Sequence, residues 1–270
     1  MSKMKNLRNV ILHIGSHVLV IYVFLWAVPF FRYAIPFPHE IPMAFIEKDF
    51  SHGYYALWVA QHIGVTLMDA LSGYLLGNGV AITLALLIAL VPRVERIVIP
   101  DVIALKSIPW VVLIPIFMLI PILGPTWRTR VLVVALANFF PTLINTHTGL
   151  QEIDADVLDY SYTLPGMNRW KLLRFVRAYY AVPYMFASFK TAAGNVITSA
   201  VVVEWMVASE GLGWMLYVFQ YRYRMDLLYG LAILTGLMGY MLMMFVGEIE
   251  KRYSRRIRGD NANAVRIDVV

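Results

Sequence analysis

The sequence predicts an all-α integral membrane protein with about six transmembrane helices. Hydrophobic residues make up 60% of the 270-residue chain and charged residues only 15%, whereas a soluble domain is typically about 45–50% apolar and about 25% charged. Five apolar runs approach the roughly 20 residues that a bilayer-spanning helix needs, and a sixth is interrupted by prolines. The chain has no cysteine, which excludes disulfides and thiolate metal sites.

Polar segments separate the predicted spans. In chain order the spans comprise residues 10–31, 67–91, 102–123, 131–144, 183–207 and 227–246. Pro109, Pro115 and Pro121 fall inside the third run, and the fourth is short enough to need residues 142–150 as an extension. The first run follows a basic start, as in a signal peptide, but its length and the lack of a small-residue cleavage site predict a retained span.

Lysine and arginine are distributed unequally between the two sides that these spans define. Fourteen lie on the side that carries both termini, and six lie on the other. The six are Arg32, Lys48, Arg128, Arg130, Arg222 and Arg224. Because cytoplasmic loops carry an excess of basic residues, both termini of this multi-pass protein are predicted to be cytoplasmic.

The same pattern divides the chain along its length. Residues 1–31 form an N-terminal cytoplasmic segment with the first span, and residues 32–66 form an external loop with an approach helix. Residues 67–250 form the membrane core, which includes a cytoplasmic polar loop at 150–183. Residues 251–270 form a basic cytoplasmic tail.

The polar loop predicts two short helices at an angle. Asp154 and Asp156 are suitable N-caps for the first, in which Val157, Leu158 and Tyr162 recur at helical spacing. The first helix is therefore predicted to begin at the aspartates and to be exposed to the cytoplasm.

Pro165 and Gly166 end that helix, and Asn168 is placed to cap a second one over residues 169–180. The second helix carries a basic stripe suited to the inner leaflet, formed by Lys171, Arg174 and Arg177. These residues alone leave two interpretations open. The segment is either an ordinary loop that follows the positive-inside rule or a docking element that transmits force from a partner.

The polar loop resembles the cytoplasmic signature loop of ABC importer permeases, the inner-membrane components of binding-protein-dependent transport systems. Gly166 occupies the glycine position of that loop, and Pro183 falls at its closing proline. Residues 169–174 are similar to those of permeases for sulfonates, taurine, nitrate, bicarbonate and vitamin precursors. Three further segments resemble spans of that subfamily: residues 107–115, 138–151 and 203–213.

The loop departs from the family pattern where that pattern has Glu-Ala-Ala. Tyr160, Ser161 and Tyr162 stand there, the acidic residue is displaced to Asp159, and Tyr179 replaces an earlier proline. Docking of an ATPase depends mostly on shape and apolar contact. The departures therefore indicate a divergent branch rather than a different activity.

The resemblance implies the type I importer permease fold, with cytoplasmic coupling helices between the fourth and fifth spans, in the bacterial cytoplasmic (inner) membrane. It implies three partners: cytoplasmic P-loop ATPase subunits, a second permease (identical or paralogous) and an extracytoplasmic solute-binding protein. The residues implied in ATPase coupling are Asp156, Leu158, Asp159, Tyr162, Leu164, Gly166, Arg169 and Trp170.

Catalytic and cofactor motifs are missing from the sequence itself. It has no Gly-x4-Gly-Lys-Ser/Thr phosphate loop, so ATP and Mg are expected in the partner ATPase and no cofactor in this chain. The sequence has no basic patch interleaved with aromatic residues, so no nucleic-acid partner is predicted. His13 and His17 have metal-ligand spacing on one helical face, but no third ligand accompanies them, so no metal site is predicted.

Polar residues within the spans are candidates for a solute pathway, because such groups face protein or water rather than lipid. The segment around Trp110 is a further candidate, because a helix broken by prolines is tolerated where it faces protein or a cavity. The candidates are Trp110, Asn138, Asn195, Glu204 and Trp205. Structural roles are the alternatives, with Glu204 locking helix packing and the amides bonding between helices. Lys190 is predicted to snorkel to the headgroups or, alternatively, to attract an anionic solute. Gly73, Gly77 and Gly79 predict close helix packing.

The predicted function is the transmembrane permease subunit of an ATP-driven importer for a small polar or anionic solute, working by alternating access. One alternative is a secondary transporter or channel without an ATPase partner, which predicts an inverted repeat that we do not find. A less favoured alternative is an intramembrane enzyme, for which Asp69, Lys190 and Glu204 form no recognisable catalytic set.

Overall fold

The computed structural model describes residues 2–28 and 34–267, and these are almost entirely helical. The helices are α1 (Ser2–Ala27), α2 (Glu40–Ile46), α3 (Tyr55–Leu90), α4 (Pro92–Leu105), α5 (Leu113–Leu119), α6 (Trp127–Gln151), α7 (Ala155–Thr163), α8 (Arg169–Leu172), α9 (Ala178–Val207), α10 (Leu212–Tyr221) and α11 (Met225–Ile267). A small antiparallel hairpin, β1 (Lys48–Asp49) and β2 (Gly53–Tyr54), precedes α3. A 3₁₀ turn (Trp110–Val112) leads into α5, and a π turn (Leu173–Arg177) joins α8 to α9.

Within the described residues, four helices are long and apolar enough to cross a membrane. They are Tyr55–Leu90, Trp127–Gln151, Arg169–Val207 and Met225–Tyr253. A fifth crossing is possible if α4 and the α5 segment count as one span, and the apolar described part of α1 is Gly15–Ala27. The end of the predicted first span, residues 29–31, lies outside the described residues. The expected all-α membrane architecture is confirmed.

The predicted third span is not a straight helix. α4 ends at Leu105, and the segment from Trp110 onward leaves it at an angle of 79°. Pro109 explains the break, because a proline donates no backbone hydrogen bond and disfavours helix in the residue before it. Pro115 lies in the first turn of α5, where proline is tolerated, and Pro121 follows the end of α5.

The centre of the bundle is formed by α3, α6 and α9, which pack closely against one another. A Cβ atom at Gly73 would lie 2.5 Å from Cβ of Val134, and one at Gly77 would overlap the backbone of Ala135. Both glycines therefore allow α3 and α6 to approach each other, as predicted. The prediction is wrong for Gly79, which has open space around it.

α10 closes one end of the bundle. Its Leu212, Met215 and Phe219 are fully buried, and the Phe219 ring meets those of Tyr55 and Trp58 edge-on. We call this the Glu204 end of the bundle, and the opposite end, which carries α7, the polar-loop end.

Candidate functional site

The polar loop folds as a short helix, a glycine turn and the start of a long helix. Gly166 has φ of +71°, a left-handed conformation that side chains with a Cβ rarely adopt. Oδ1 of Asn168 accepts a hydrogen bond from the Lys171 backbone N–H at 2.9 Å, so the predicted cap is present. Asp154 occupies the N-cap position of α7 but makes no side-chain capping bond.

Most residues implied in ATPase coupling are exposed on this loop. Tyr162 is 58% exposed and Trp170 is 56% exposed, although both are large apolar side chains. The exposed members are Asp156, Asp159, Tyr162, Leu164, Gly166, Arg169 and Trp170, while Leu158 is half-buried. Ser161 alone on α7 is fully buried, and its hydroxyl donates to the Val157 carbonyl oxygen. The loop therefore presents aromatic and aliphatic surface that nothing in the described part of the chain covers.

The second predicted loop helix is not a separate surface helix. Helical structure continues from Arg169 through the π turn and past Pro183 to Val207, so that the loop and the fifth span share one helix. A π turn inserts one extra residue into a helix, and such turns occur frequently at functional sites. This continuity means that a displacement at Trp170 moves the membrane span directly.

Three of the predicted pathway residues line one cavity of about 240 Å³. Trp110 enters it from the 3₁₀ turn, Asn138 from α6 and Asn195 from α9. The remaining lining residues are Ala137, Pro141, Thr191, Ala192, Thr198 and Ser199. The break at Pro109 is what places Trp110 beside the two long helices, and the arrangement could not be predicted from helical spacing.

Several polar groups of this cavity are bonded within their own helices. Nδ2 of Asn138 donates to the Val134 carbonyl at 2.8 Å, and the hydroxyls of Thr191 and Ser199 donate to carbonyls one turn earlier. The Asn195 carboxamide and the Thr198 hydroxyl make no hydrogen bond to any other described side chain or backbone group. Thr191, Asn195 and Thr198 are exposed on a membrane helix, which indicates that this face meets water or another protein rather than lipid.

The structure does not bring Glu204 or Trp205 to that cavity. Trp205 is half-exposed and lines a separate open depression of about 990 Å³ with Tyr217 and Tyr221. Glu204 is fully buried, and its Oε2 accepts hydrogen bonds from the Thr66 hydroxyl and the Gly213 backbone N–H, both at 2.9 Å. These contacts correspond to the packing alternative, in which the carboxylate joins α3, α9 and α10.

Two further bonds extend this buried network. The Leu212 N–H donates to the Thr66 hydroxyl oxygen at 2.8 Å, and the Gly211 N–H donates to Nδ1 of His62 at 3.0 Å. Side chains of α3 therefore satisfy the backbone N–H groups at the start of α10, which have no intrahelical partner. Oε1 of Glu204 is buried without a hydrogen-bond partner in the described part of the chain.

Sequence reasoning missed a buried ion-pair cluster beside this network. Nε of Arg130 donates to Asp69 at 2.5 Å, and its NH2 group donates to Glu210 at 3.0 Å. Arg130 and Asp69 are both almost fully buried, whereas Glu210 is half-exposed. The sequence alone presents Arg130 only as one of the basic residues on the outer side of the spans and Asp69 only as an ionisable residue within a span. The useful signal was the rarity of an ionisable residue inside a span.

Lys190 follows neither of the two roles that its position suggested. Its Nζ lies 2.7 Å from Oε2 of Glu250 and so pairs α9 with α11. Among the described residues, no group of three or more His, Asp or Glu side chains could hold a metal ion, and the His13 side chain lies outside that description.

The match to known proteins extends over most of the chain. Residues 77–259 match the family described as the binding-protein-dependent transport system inner membrane component. The chain is 31% identical to the riboflavin transport system permease protein RibX of Chloroflexus aurantiacus, over 72% of this chain and 71% of that protein. It is 32% identical to the formylaminopyrimidine transport permease protein ThiX of Halalkalibacterium halodurans, over 67% and 69% respectively.

Solved transporters share the fold. An inward-facing MetNI methionine ABC transporter matches with a TM-score of 0.64 at 16% identity, covering 73% of this chain and 97% of that one. A bacterial alginate ABC transporter matches with a TM-score of 0.60 at 14% identity, covering 88% and 96%. The fold and site thus define a membrane permease of the type I importer class. The chain belongs to the binding-protein-dependent transport system inner membrane component family, and it is a permease subunit of an ABC importer.

Proposed function

We propose that this permease carries a small polar solute inward by alternating access, with α7 as the docking element for a separate cytoplasmic ATPase. In this proposal the ATPase binds ATP and Mg, a second permease completes the pathway, and an extracytoplasmic binding protein delivers the solute at the Glu204 end. Both termini and the polar loop then lie in the cytoplasm, in agreement with the excess of basic residues on that side.

The observation that carries the proposal is the single helix that joins the polar loop to the cavity. Trp170, at the loop, and Asn195, at the cavity, belong to the same continuous helical segment, Arg169–Val207. A continuous helix can transmit a rotation or a shift along its length, so force at the loop reaches the cavity wall through one helical segment. This arrangement supports coupling between ATPase movement and access to the cavity.

The curated relatives support the proposed class of solute. RibX and ThiX are described as permeases for riboflavin and formylaminopyrimidine, and a third relative, SsuC of Bacillus subtilis, as a putative aliphatic sulfonates permease. All three solutes are small and polar. The cavity of about 240 Å³ is of a size for part or all of such a molecule.

The first test is affinity purification of the tagged chain in mild detergent, followed by mass spectrometry of the proteins that co-purify. We expect a P-loop ATPase to be recovered. Gly166→Val should reduce its recovery, because a β-branched residue is strongly disfavoured at φ of +71°. Gly79→Ala is the matched control, since a Cβ there meets open space.

Two results would contradict the proposal. A lone chain that is reproducibly free of any ATPase would favour a secondary transporter or channel. Unchanged recovery with Gly166→Val, in protein that remains folded, would remove the polar loop as the docking element. Recovery of a paralogous permease would make the assembly a heterodimer, and its absence alongside an ATPase would make it a homodimer.

A further inference from the structure

We infer that the cavity between the 3₁₀ turn, α6 and α9 selects an uncharged, flat solute that both donates and accepts hydrogen bonds, in preference to an anion. This inference rests on the proposed function, because it takes the cavity as part of the solute pathway. It narrows the expected solute class, which from the sequence included anions.

The cavity wall carries no charge. Its lining consists of amide, hydroxyl, aromatic and aliphatic groups, and no Lys, Arg, Asp or Glu is among them. An ionised group that leaves water for a low-dielectric site without a partner is strongly disfavoured. The wall therefore offers no positive charge to compensate an anion for its lost hydration.

The basic side chains that flank the cavity on α6 and α9 already have partners. Lys190 precedes the lining residue Thr191, but its ammonium lies 2.7 Å from the Glu250 carboxylate. Arg130, two turns before Asn138 on α6, is held between Asp69 and Glu210. Each cation is matched by at least one carboxylate, so little net positive potential remains to attract an anionic solute.

The groups that do face the cavity suit a neutral ring. Asn195 offers a carboxamide donor and acceptor, and Thr198 offers a hydroxyl, with neither bonded elsewhere in the described chain. Nδ2 of Asn138 donates one of its two N–H groups to Val134, which leaves one donor and the Oδ1 acceptor. The Trp110 ring forms an apolar wall against which a planar solute can stack. With about 240 Å³, the cavity accommodates a single substituted ring.

The test compares uracil with orotate, which is the same ring with one added carboxylate. The full chain with its co-purified partners is placed in nanodiscs, and binding of each probe is followed by saturation-transfer difference NMR, which detects weak ligands. We expect uracil to bind and orotate to bind at least about tenfold more weakly, since the added carboxylate of orotate carries a charge that the wall does not compensate. Equal binding, or no binding of uracil, would overturn the inference.

A charge exchange in the protein makes the test specific for this cavity. Asn195→Lys places a cation in the wall and should reverse the preference, so that orotate binds more tightly than uracil. Asn145→Lys is the matched control on α6, because Asn145 is exposed and does not line the cavity, and it should leave the preference for uracil unchanged. An identical effect of both changes would show a general charge effect and would contradict the inference.

The two proposals fail in distinguishable ways. Loss of ATPase recovery in the purification experiment contradicts the proposed function, whereas the ratio of uracil to orotate binding is measured on the permease itself. A complex that retains its ATPase but prefers orotate would leave the importer intact and refute the uncharged solute.

Discussion

The two ends of the bundle differ in how their side chains are paired. At the Glu204 end, buried hydrogen bonds and ion pairs join side chains of α3, α6 and α9 to one another and to the start of α10. At the polar-loop end, α7 exposes large apolar side chains. Glu204, Thr66 and Arg130 are each buried and bonded to another element. Tyr160 and Tyr162 are each more than half exposed. The first end is closed by its own residues, and the second is left open for a partner.

The difference indicates how the work of alternating access is divided. Covering an exposed apolar surface with another protein is energetically favourable, so the polar-loop end is suited to binding a partner. Hydrogen bonds and ion pairs are directional and can be exchanged for water or for other partners. The contacts of the Glu204 end can therefore exist in one conformation and be replaced in another, which is what a two-state gate requires.

Removal of Arg130 should have the largest effect on stability. Arg130→Met leaves the buried Asp69 carboxylate without its counter-charge, and breaking a buried ion pair in this way typically costs about 3–5 kcal/mol. Thermal unfolding of the purified chain in detergent would measure the loss. Arg128→Met is the matched control, because Arg128 is exposed, and a change within about 0.5 kcal/mol is expected there.

A second change separates charge from packing at this position. Asp69→Asn added to Arg130→Met removes the unpaired carboxylate, so the double variant should recover part of the lost stability. No recovery would mean that the Arg130 side chain acts mainly by filling space. Equal losses for Arg128→Met and Arg130→Met would contradict the ion-pair account of this end.

Gly213→Ala should have the next largest effect. A Cβ at Gly213 would lie 2.6 Å from Cβ of Glu204 and 2.7 Å from the backbone nitrogen of Trp205, so α9 and α10 would have to separate. Overpacking of this kind costs about 1–3 kcal/mol. Gly79→Ala, in open space on α3, should instead stabilise slightly, because alanine is a better helix former than glycine. Similar unfolding temperatures for the two variants would show that the contact between α9 and α10 yields easily.

Tyr162→Ala, at the polar-loop end, should have little effect on stability and a clear effect on the coupling of ATP hydrolysis to transport. The side chain is 58% exposed, so the change in stability is expected to stay within about 0.5 kcal/mol. ATP hydrolysis by the reconstituted complex should become uncoupled from solute transport, because the ATPase loses an apolar contact with α7. Tyr240→Ala, which changes an equally exposed tyrosine on α11, should leave both quantities unaltered. Equal ATPase behaviour in the two variants would argue against docking at α7.

The sequence predicted the fold class and four of the long helices, because long apolar runs indicate membrane spans and glycines after them indicate where helices end. Local rules also located the Asn168 cap and the Gly166 turn. The prolines of the third run predicted a break in that span, but not the 79° bend that follows α4, because the apolar run continues across Pro109 without a change in composition. Fusion of α8 with α9 was likewise hidden, because a basic stripe suits both a surface helix and the end of a span.

The site was predictable to the extent that the relevant residues are unusual for a membrane. Asn138 and Asn195 were selected on that basis, and Trp110 because prolines break its segment; all three line one cavity, although their role in transport stays a prediction. The partners of buried polar groups could not be predicted, because they lie far apart in sequence. Thr66 and Glu204 are 138 residues apart, and Asp69 and Arg130 are 61 apart. Only the packing of the helices reveals these pairs.

The smallest expected effect concerns Asp49, which ties the hairpin to the α10–α11 connection at the Glu204 end. Its carboxylate lies 2.7 Å from Nδ1 of His52 and 2.8 Å from Arg222, and these groups, His52 above all, lower the pKa of Asp49 to about 2. Because this pKa is below the ordinary value of 3.8, the ionised carboxylate contributes its full stabilisation of the fold at pH values above 3.8. The contribution should fade as the pH drops through this interval towards about 2.

The pH dependence gives a test that separates the two ends. Asp49→Asn should lower the unfolding temperature slightly at pH 6, and the difference from the unmodified chain should shrink as the pH falls from about 3.8 towards about 2, because protonation progressively removes the same charge. Asp159→Asn, on the exposed face of α7, should change the unfolding temperature at neither end of this range, since its carboxylate bonds to no other described group. A constant difference between Asp49→Asn and the unmodified chain across this range would mean that Asp49 acts through its shape.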